Sequence, residues 1–194
     1  MQQVLAERII SRAGAKQSAL ADLALVLLGS LVVAASAQIS IHLDLVPITG
    51  QTFGVLLVGM ALGSRRGALA LVAYLAEGAA GLPVFAEGKV GLETLLGPTG
   101  GYLVGFVAAA WLVGLLAERG FDRSFLATMA AMALGNVVIY FFGVYWLSTL
   151  IGYEAALDNG LDPFLLGDTI KMVLAALLLP GAWKLLGTGK SRKL

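Results

Sequence analysis

Residues Gly100 to Ala117 read GGYLVGFVAAAWLVGLLA, a stretch without a single charged side chain. At a rise of about 1.5 Å per residue, this stretch forms a helix of about 27 Å, close to the hydrocarbon thickness of a bilayer, about 30 Å. Backbone groups in hydrocarbon must be hydrogen-bonded within their own segment. The stretch is therefore predicted to be a transmembrane helix.

Five further apolar stretches accompany this one, and we interpret all six as helices of a single transmembrane domain covering residues 1–194. The approximate bounds of the six are 22–41, 52–63, 67–80, 100–117, 125–151 and 164–186. The composition agrees, since 59% of the 194 residues are hydrophobic and only 13% are charged, far from the averages of soluble domains. The stretch 52–63 is short for a crossing, about 18 Å, so the number of crossings needs a second criterion.

Basic residues supply that criterion, because short cytoplasmic loops carry the excess of Lys and Arg. With six crossings and both termini cytoplasmic, the inner segments hold Arg8, Arg12, Lys16, Arg65, Arg66, Arg119, Arg123, Lys184, Lys190, Arg192 and Lys193. The outer segments hold only Lys89, and Asp44 and other acids lie at or near that face. The sequence therefore predicts an all-α integral membrane protein with six transmembrane helices and cytoplasmic termini.

The N-terminal segment permits two interpretations. Basic residues, the apolar run 23–33 and then Ala35-Ser36-Ala37 are similar to a cleaved signal peptide. Cleavage would leave five crossings and conflict with the charge pattern, so we interpret the segment as a basic amphipathic lead-in and a first transmembrane helix. Ser30 and Ala34 give this helix a small-residue face, which either docks a partner or packs within the chain.

Several kinds of chemistry are excluded by composition. The chain has no cysteine and a single histidine, His42, so disulfides, thiolate metal sites and histidine-based catalytic sites are not expected. No nucleotide-binding motif was found. No cofactor is expected, and any ATP that drives transport must bind another subunit.

A pair of charged residues lies inside the last apolar stretch. Asp162 and Pro163 are typical of a helix start, with Asp162 as the N-cap. This places Lys171 about 12 Å into the helix, with Asp168 one turn nearer the outside on the same face. Ionisable groups at this depth cost about 2.5–3.5 kcal/mol each on insertion scales and usually mark a pathway or site. The pair is predicted to hold a polar ligand, and a self-neutralising pair kept for packing is the alternative.

Two outer loops are candidates to close such a site. The loop around Thr49, Gln51 and Thr52 either caps a site or only forms a turn and a helix cap. The loop over residues 81–102 is expected to fold over a bound molecule as a lid.

The fifth stretch offers two more polar groups. Asn136 and Tyr140 are four residues apart, so they share a helix face and are candidates to reach the same cavity. Hydrogen bonding between helices is the alternative for Asn136.

Five motifs together resemble the BioY family, the biotin-binding S components of energy-coupling-factor (ECF) transporters. They are Val46-Pro47-Ile48-Thr49-Gly50-Gln51-Thr52, Leu62-Gly63, Gly81-Leu82-Pro83-Val84-Phe85, Gly97-Pro98-Thr99-Gly100-Gly101-Tyr102 and Gly167-Asp168-Thr169-Ile170-Lys171. The resemblance runs from the first helix to the last, and the motif 97–102 and the Asp168-to-Lys171 pair make it specific.

The resemblance implies a six-helix S-component fold with a biotin pocket near the extracellular face, used for biotin uptake. The binding residues that it carries over by motif are Thr49, Gln51, the loop around Gly88, Asp168 and Lys171. Biotin offers a carboxylate for a lysine, ureido N–H donors for an aspartate or asparagine such as Asn136, and an apolar ring for Phe85, Tyr74 or Tyr102. Family members often have small or amide residues where Lys89 stands, so Lys89 is a second candidate for the carboxylate.

The resemblance also implies partners, namely a transmembrane coupling subunit and two ATP-binding subunits, docked through a small-residue face for which Ser30 and Ala34 are the nearest match. The expected location is the plasma membrane of a prokaryote, within the lipid bilayer and without a nucleic acid partner. Two alternatives stay open: a stand-alone carrier in which Asp168 and Lys171 couple proton movement to uptake, and an intramembrane enzyme acting on a lipid. The shortage of catalytic side chains argues against the enzyme.

Overall fold

The structure is a computed structural model that describes residues 2–12, 14, 18–43 and 45–187. Within these ranges the chain forms nine α-helices: α1 (Leu5–Arg12), α2 (Ala19–Gln38), α3 (Gln51–Leu62), α4 (Ser64–Ala79), α5 (Gly91–Leu96), α6 (Gly100–Ala117), α7 (Phe125–Ile151), α8 (Tyr153–Gly160) and α9 (Asp162–Leu186). Two short strands, β1 (Ser40–Ile41) and β2 (Ile48–Thr49), pair antiparallel between α2 and α3.

Four segments of the described chain are long and apolar enough to cross a membrane: Ala19–Gln38, Gly100–Ala117, Phe125–Ile151 and Tyr153–Leu186. The other two helices that fall on predicted stretches are shorter, with 12 residues in α3 and 16 in α4, or about 18 and 24 Å, and of these α3 is the apolar one. The fold class is therefore an all-helical membrane protein, as predicted. Six separate crossings and cytoplasmic termini stay predictions.

Two hydrogen bonds show which connections between helices lie at the same end of the bundle. At one end the Gln38 side chain of α2 donates to the Phe85 carbonyl beyond α4, at 3.2 Å, and Trp146 of α7 donates to the Gly97 carbonyl before α6, at 2.9 Å. We call this end, where α2, α4 and α7 finish, the outer end, and the opposite end the inner end. Lys89 lies at the outer end. Lys16, Asp44, Lys190, Arg192 and Lys193 of the predicted charge pattern lie outside the described residues.

The observed helices differ from the predicted stretches mainly at their starts. Helix α2 begins three residues before the predicted stretch, because Ser18 caps it by accepting a hydrogen bond from the Ala21 amide at 3.2 Å. The predicted N-cap role of Asp162 is corrected, since Asp162 lies inside α9 and Leu161 holds the N-cap position. Leu161 is the single residue between α8 and α9, and its amide still donates to the Leu157 carbonyl of α8, so α9 begins directly at Asp162.

Glycines allow three helices to meet closely in the middle of the bundle. A Cβ atom added at Gly59 of α3 would lie 2.6 Å from the Ala110 carbonyl oxygen of α6, and one added at Gly67 of α4 would lie 2.9 Å from the Gly59 Cα. Both distances are shorter than a real Cβ contact allows. Backbone contact of this kind supplies packing between helices in lipid, where no hydrophobic force drives them together.

The small-residue face of α2 packs within the chain. Ser30 is fully buried and donates a hydrogen bond to the Glu77 carboxylate of α4 at 2.7 Å, and Ala34 is 9% exposed. The opposite face of α2 is apolar and exposed, with Leu20, Leu28 and Leu31 more than half exposed. Packing thus accounts for Ser30 and Ala34, and their predicted docking role stays a prediction.

Candidate ligand-binding site

A cavity opens at the outer end, between α3, α6, α7 and α9 and beneath the loops that follow α2 and α4. Its empty space is about 610 Å³ when the part open to solvent is included. We call it the ligand cavity. Its wall is mainly apolar, and its polar lining includes Thr49, Gln51, Thr52, Lys89, Tyr140 and Lys171.

An ion pair lies beside the ligand cavity, on α9. Lys171 Nζ is 2.6 Å from Asp168 Oδ1. Lys171 lines the cavity and also donates to the Thr49 carbonyl at 2.7 Å and to Thr52 Oγ1 at 3.0 Å. Asp168 is only 2% exposed and lies behind the cavity wall. It accepts two further hydrogen bonds, from Thr52 Oγ1 at 2.8 Å and from the Tyr140 hydroxyl at 2.6 Å.

These contacts explain how two charges are tolerated in the bundle. The three protons of the Lys171 ammonium have three acceptors, and the Asp168 carboxylate uses three of its roughly four acceptor positions. A buried ion pair offsets its desolvation cost only when such additional hydrogen bonds are present. The network joins α3, α7 and α9 at the floor of the ligand cavity.

A second set of hydrogen bonds fixes Gln51, the first residue of α3. Its side-chain NH₂ group donates to the Tyr74 hydroxyl at 2.7 Å, and its Oε1 accepts from Thr49 Oγ1 at 3.0 Å. Tyr74 donates in turn to the Val84 carbonyl at 3.1 Å and packs edge-on against Phe85, with ring centroids 5.5 Å apart. Tyr74 therefore supports the site from behind, because it is fully buried and does not line the cavity.

Large apolar side chains form the rest of the wall. The Tyr102 ring lines the ligand cavity, while its hydroxyl donates to the Gly160 carbonyl of α8 at 2.7 Å. The other large apolar side chains are Phe85, Leu103, Phe106, Ile139 and Phe164. A ligand with an apolar ring or chain is therefore expected to lie against this wall.

Three charged or titratable residues meet at the mouth, and we call their contact the mouth clasp. Glu87 Oε2 is 2.9 Å from Lys89 Nζ, and Glu87 Oε1 is hydrogen-bonded to His42 Nδ1. Hydrogen bonds from Lys89 and then from His42 hold the pKa of Glu87 below its ordinary value. The clasp links the loop after α2 to the loop after α4, and Lys89 stays half exposed at the edge of the ligand cavity.

The structure brings most of the predicted binding residues together. Those that line the ligand cavity are Thr49, Gln51, Phe85, Lys89, Tyr102 and Lys171. Asp168 and Tyr74 lie behind the wall, whereas Gly88 and Asn136 are not part of it. Gly88, at a φ of +71°, serves the turn of its loop. Asn136 lies one helical turn further inward than Tyr140 and faces a smaller cavity, so the expectation that both reach one cavity is corrected.

Sequence reasoning does not identify Phe106, Ile139 or Phe164 as wall residues. In a transmembrane helix an apolar residue that faces a ligand looks the same as one that faces lipid. One signal was available, since Phe106 follows Tyr102 by four residues and so shares its helix face. Within the described ranges no group of three or more His, Cys, Asp and Glu side chains gathers as a metal site.

The sequence is similar to those of known transport proteins. A model of the BioY family matches residues 10–188. The chain is 45% identical to the biotin transporter BioY of Thermotoga maritima over 143 residues, which are 73% of this chain and 83% of that protein. It is 42% identical to the biotin transporter BioY of Rhizobium etli over 142 residues, covering 69% and 75% of the two chains. A probable biotin transporter BioY of Pyrococcus horikoshii is 37% identical over 157 residues, 81% of this chain and 93% of that one.

A solved structure is similar over most of the chain. It is the S-component for biotin from an ECF-type ABC transporter, with a TM-score of 0.75 and 26% sequence identity. The similarity covers 87% of this chain and 95% of the other.

Proposed function

This chain belongs to the BioY family, and we propose that it is the membrane subunit that binds biotin for uptake into the cell. The observation that carries the proposal is the ligand cavity itself, a mainly apolar space with Lys171 in its wall and Asp168 directly behind that wall. Biotin has a polar ureido group, an apolar ring and chain, and a carboxylate. Each of these parts has a chemical counterpart in the wall or directly behind it.

The charges favour one orientation of biotin in the cavity. Asp168 would repel the carboxylate, and all three protons of Lys171 are already bonded within the protein. Lys89 is the cation of the cavity wall that stays half exposed, and it lies at the mouth. The neutral ureido group therefore faces Asp168 and Lys171, the ring and chain lie along the aromatic wall, and the carboxylate meets Lys89.

The partners proposed for this subunit are a transmembrane coupling subunit and two ATP-binding subunits, in the plasma membrane of a prokaryote. The similarity to an ECF-type S component supports them. The exposed apolar face of α2, with Leu20, Leu28 and Leu31, offers a surface that either lipid or a transmembrane partner covers. A lipid-modifying enzyme is set aside, because the similar proteins are named as transporters.

A stand-alone biotin carrier is kept as the second candidate. Paired ionisable residues inside a membrane, such as Asp168 and Lys171, also occur in proton relays. Uptake into proteoliposomes that contain only this protein distinguishes the two. Uptake driven by a proton gradient supports the carrier, and uptake that requires the coupling and ATP-binding subunits supports the S component.

The experiment that tests biotin binding is calorimetric titration of the purified protein, stripped of endogenous ligand. Biotin and an unrelated vitamin, riboflavin, are titrated in parallel. Saturable binding of biotin alone is expected. Binding of neither ligand by folded protein would overturn the substrate assignment and leave the fold unchanged.

A further inference from the structure

Asn136 is a buried polar residue that the ligand cavity does not use. It is 5% exposed, and its Oδ1 atom is buried without a hydrogen-bond partner among the described residues. Leaving a buried acceptor unbonded destabilises a protein, so an acceptor of this kind calls for an explanation.

Asn136 lines a small cavity next to the ligand cavity, which we call the lower cavity. The lower cavity is a narrow gap too small to admit a water molecule, and its other lining residues include Met132 and Met172. Thr52 and Lys171 line both cavities. Their side chains therefore form the partition between the two spaces, with the Asn136 amide on the inner side.

Ligand contact with Asp168 requires a rearrangement of this partition. Asp168 does not line the ligand cavity, and its three donors, Thr52, Tyr140 and Lys171, all do. A ligand N–H group must therefore displace one of them to reach the carboxylate. Lys171 is suited to move, because its four-carbon stem is flexible, whereas the Thr52 and Tyr140 side chains have fewer rotatable bonds.

We propose that Asn136 is the alternative acceptor of Lys171, a positioning residue that holds the ammonium group when biotin occupies Asp168. The inference rests on the proposed biotin function. In the ligand-free protein Lys171 bonds to Asp168, and on binding it exchanges this bond for Asn136 Oδ1 in the lower cavity. An amide suits the task because it accepts a hydrogen bond without a charge, so it does not hold Lys171 away from Asp168 when no ligand is present.

A double-mutant cycle tests the proposal by calorimetric titration with biotin. Asn136→Leu removes the acceptor and is expected to weaken binding about tenfold, the factor of one net hydrogen bond. In a Lys171→Met background the same substitution is expected to cause no further loss, because Asn136 acts through Lys171. Met132→Leu, in the same cavity, is the matched control and is expected to retain wild-type affinity.

Three outcomes would overturn the inference. One is unchanged affinity of Asn136→Leu, and another is an equal loss in both backgrounds, which indicates a structural role. The third is a structure of the biotin complex in which Lys171 Nζ stays away from Asn136 Oδ1. If Asn136→Leu does not fold, Asn136→Ala enters the same cycle. Failure of the wild-type protein to bind biotin would overturn the proposed function as well, and is distinguished by its own titration.

Discussion

The hydroxyl of Tyr140 donates a 2.6 Å hydrogen bond to Asp168 Oδ2, and so connects the middle of α7 to α9 beneath the ligand cavity. This contact shows that the buried carboxylate has donors on both of its oxygens. Because this hydrogen bond joins two helices, it contributes to the stability of the bundle, and stability experiments can measure that contribution.

Tyr140→Phe is expected to destabilise the protein by about 1.5–3 kcal/mol, since it removes a hydrogen bond to a charged group that stays buried. Thermal unfolding in detergent measures the change. Tyr145→Phe is the matched control, because Tyr145 lies on the same helix and is 68% exposed. Equal effects of the two substitutions would contradict the assigned role.

Removal of both charges of the ion pair is expected to destabilise the protein less than removal of one. Asp168→Asn or Lys171→Met alone leaves an unpaired buried charge, at a cost of about 3–5 kcal/mol. The double variant leaves none. Denaturation of the two single variants and the double variant measures this difference, and additive losses would show that the two residues are not energetically coupled.

Lys89→Met is expected to weaken biotin binding about three- to tenfold, less than for a buried contact because Lys89 is half exposed. The loss should be absent for biotinamide, which lacks the carboxylate. Calorimetry with both ligands measures this, and Lys184→Met at the inner end is the control. Equal losses for biotin and biotinamide would place the carboxylate elsewhere.

The mouth clasp is expected to loosen only in acid. A carboxyl whose pKa is depressed on folding contributes stability that is complete above its ordinary pKa, about 4, and is lost as the pH falls through the folded value. Glu87 is such a group. Hydrogen exchange in the loop after α4 should therefore stay constant from neutral pH to about pH 5 after correction for intrinsic rates, and rise at lower pH. Glu87→Gln should exchange fast throughout, and a wild-type profile in that variant would argue against the clasp.

Gly59→Val is expected to destabilise the bundle by about 1–3 kcal/mol or prevent folding, since an added side chain meets the Ala110 carbonyl. Gly167→Ala on α9 is the control, because an added Cβ there meets nothing within 4 Å. Thermal unfolding measures both. A Gly59→Val protein as stable as the control would contradict the close packing of α3 and α6.

The long helices were predictable because lipid imposes a simple rule on sequence. Hydrocarbon demands continuous apolar stretches, and α6 and α7 begin and end where the predicted stretches do. The short helices α5 and α8 were not predicted. They lie in the connections at the outer end. A helix outside hydrocarbon needs no particular length, because water can satisfy its backbone groups, so no apolar stretch of fixed length marks it in the sequence.

The residues of the candidate site that could be predicted from sequence are the polar ones that lie inside apolar stretches. Asp168 and Lys171 attract attention because charge is costly in an apolar helix, and their contact is the centre of the observed network. Phe106 and Phe164 could not be assigned from sequence, since their roles depend on which face meets the cavity. The spacing of one helical turn between Asn136 and Tyr140 is visible in the sequence, but the position of the Lys171 side chain between Asn136 and the ligand cavity is not.

The turn at Gly63 affects how the chain is inserted into the membrane during synthesis. A single residue, with a φ of +86°, separates α3 from α4, and neither helix alone reaches the length of about 20 residues that spans hydrocarbon. During synthesis neither helix presents a complete membrane segment to the insertion machinery. The two are therefore expected to enter the bilayer together as one hairpin, with Arg65 and Arg66 retained on the side of the ribosome.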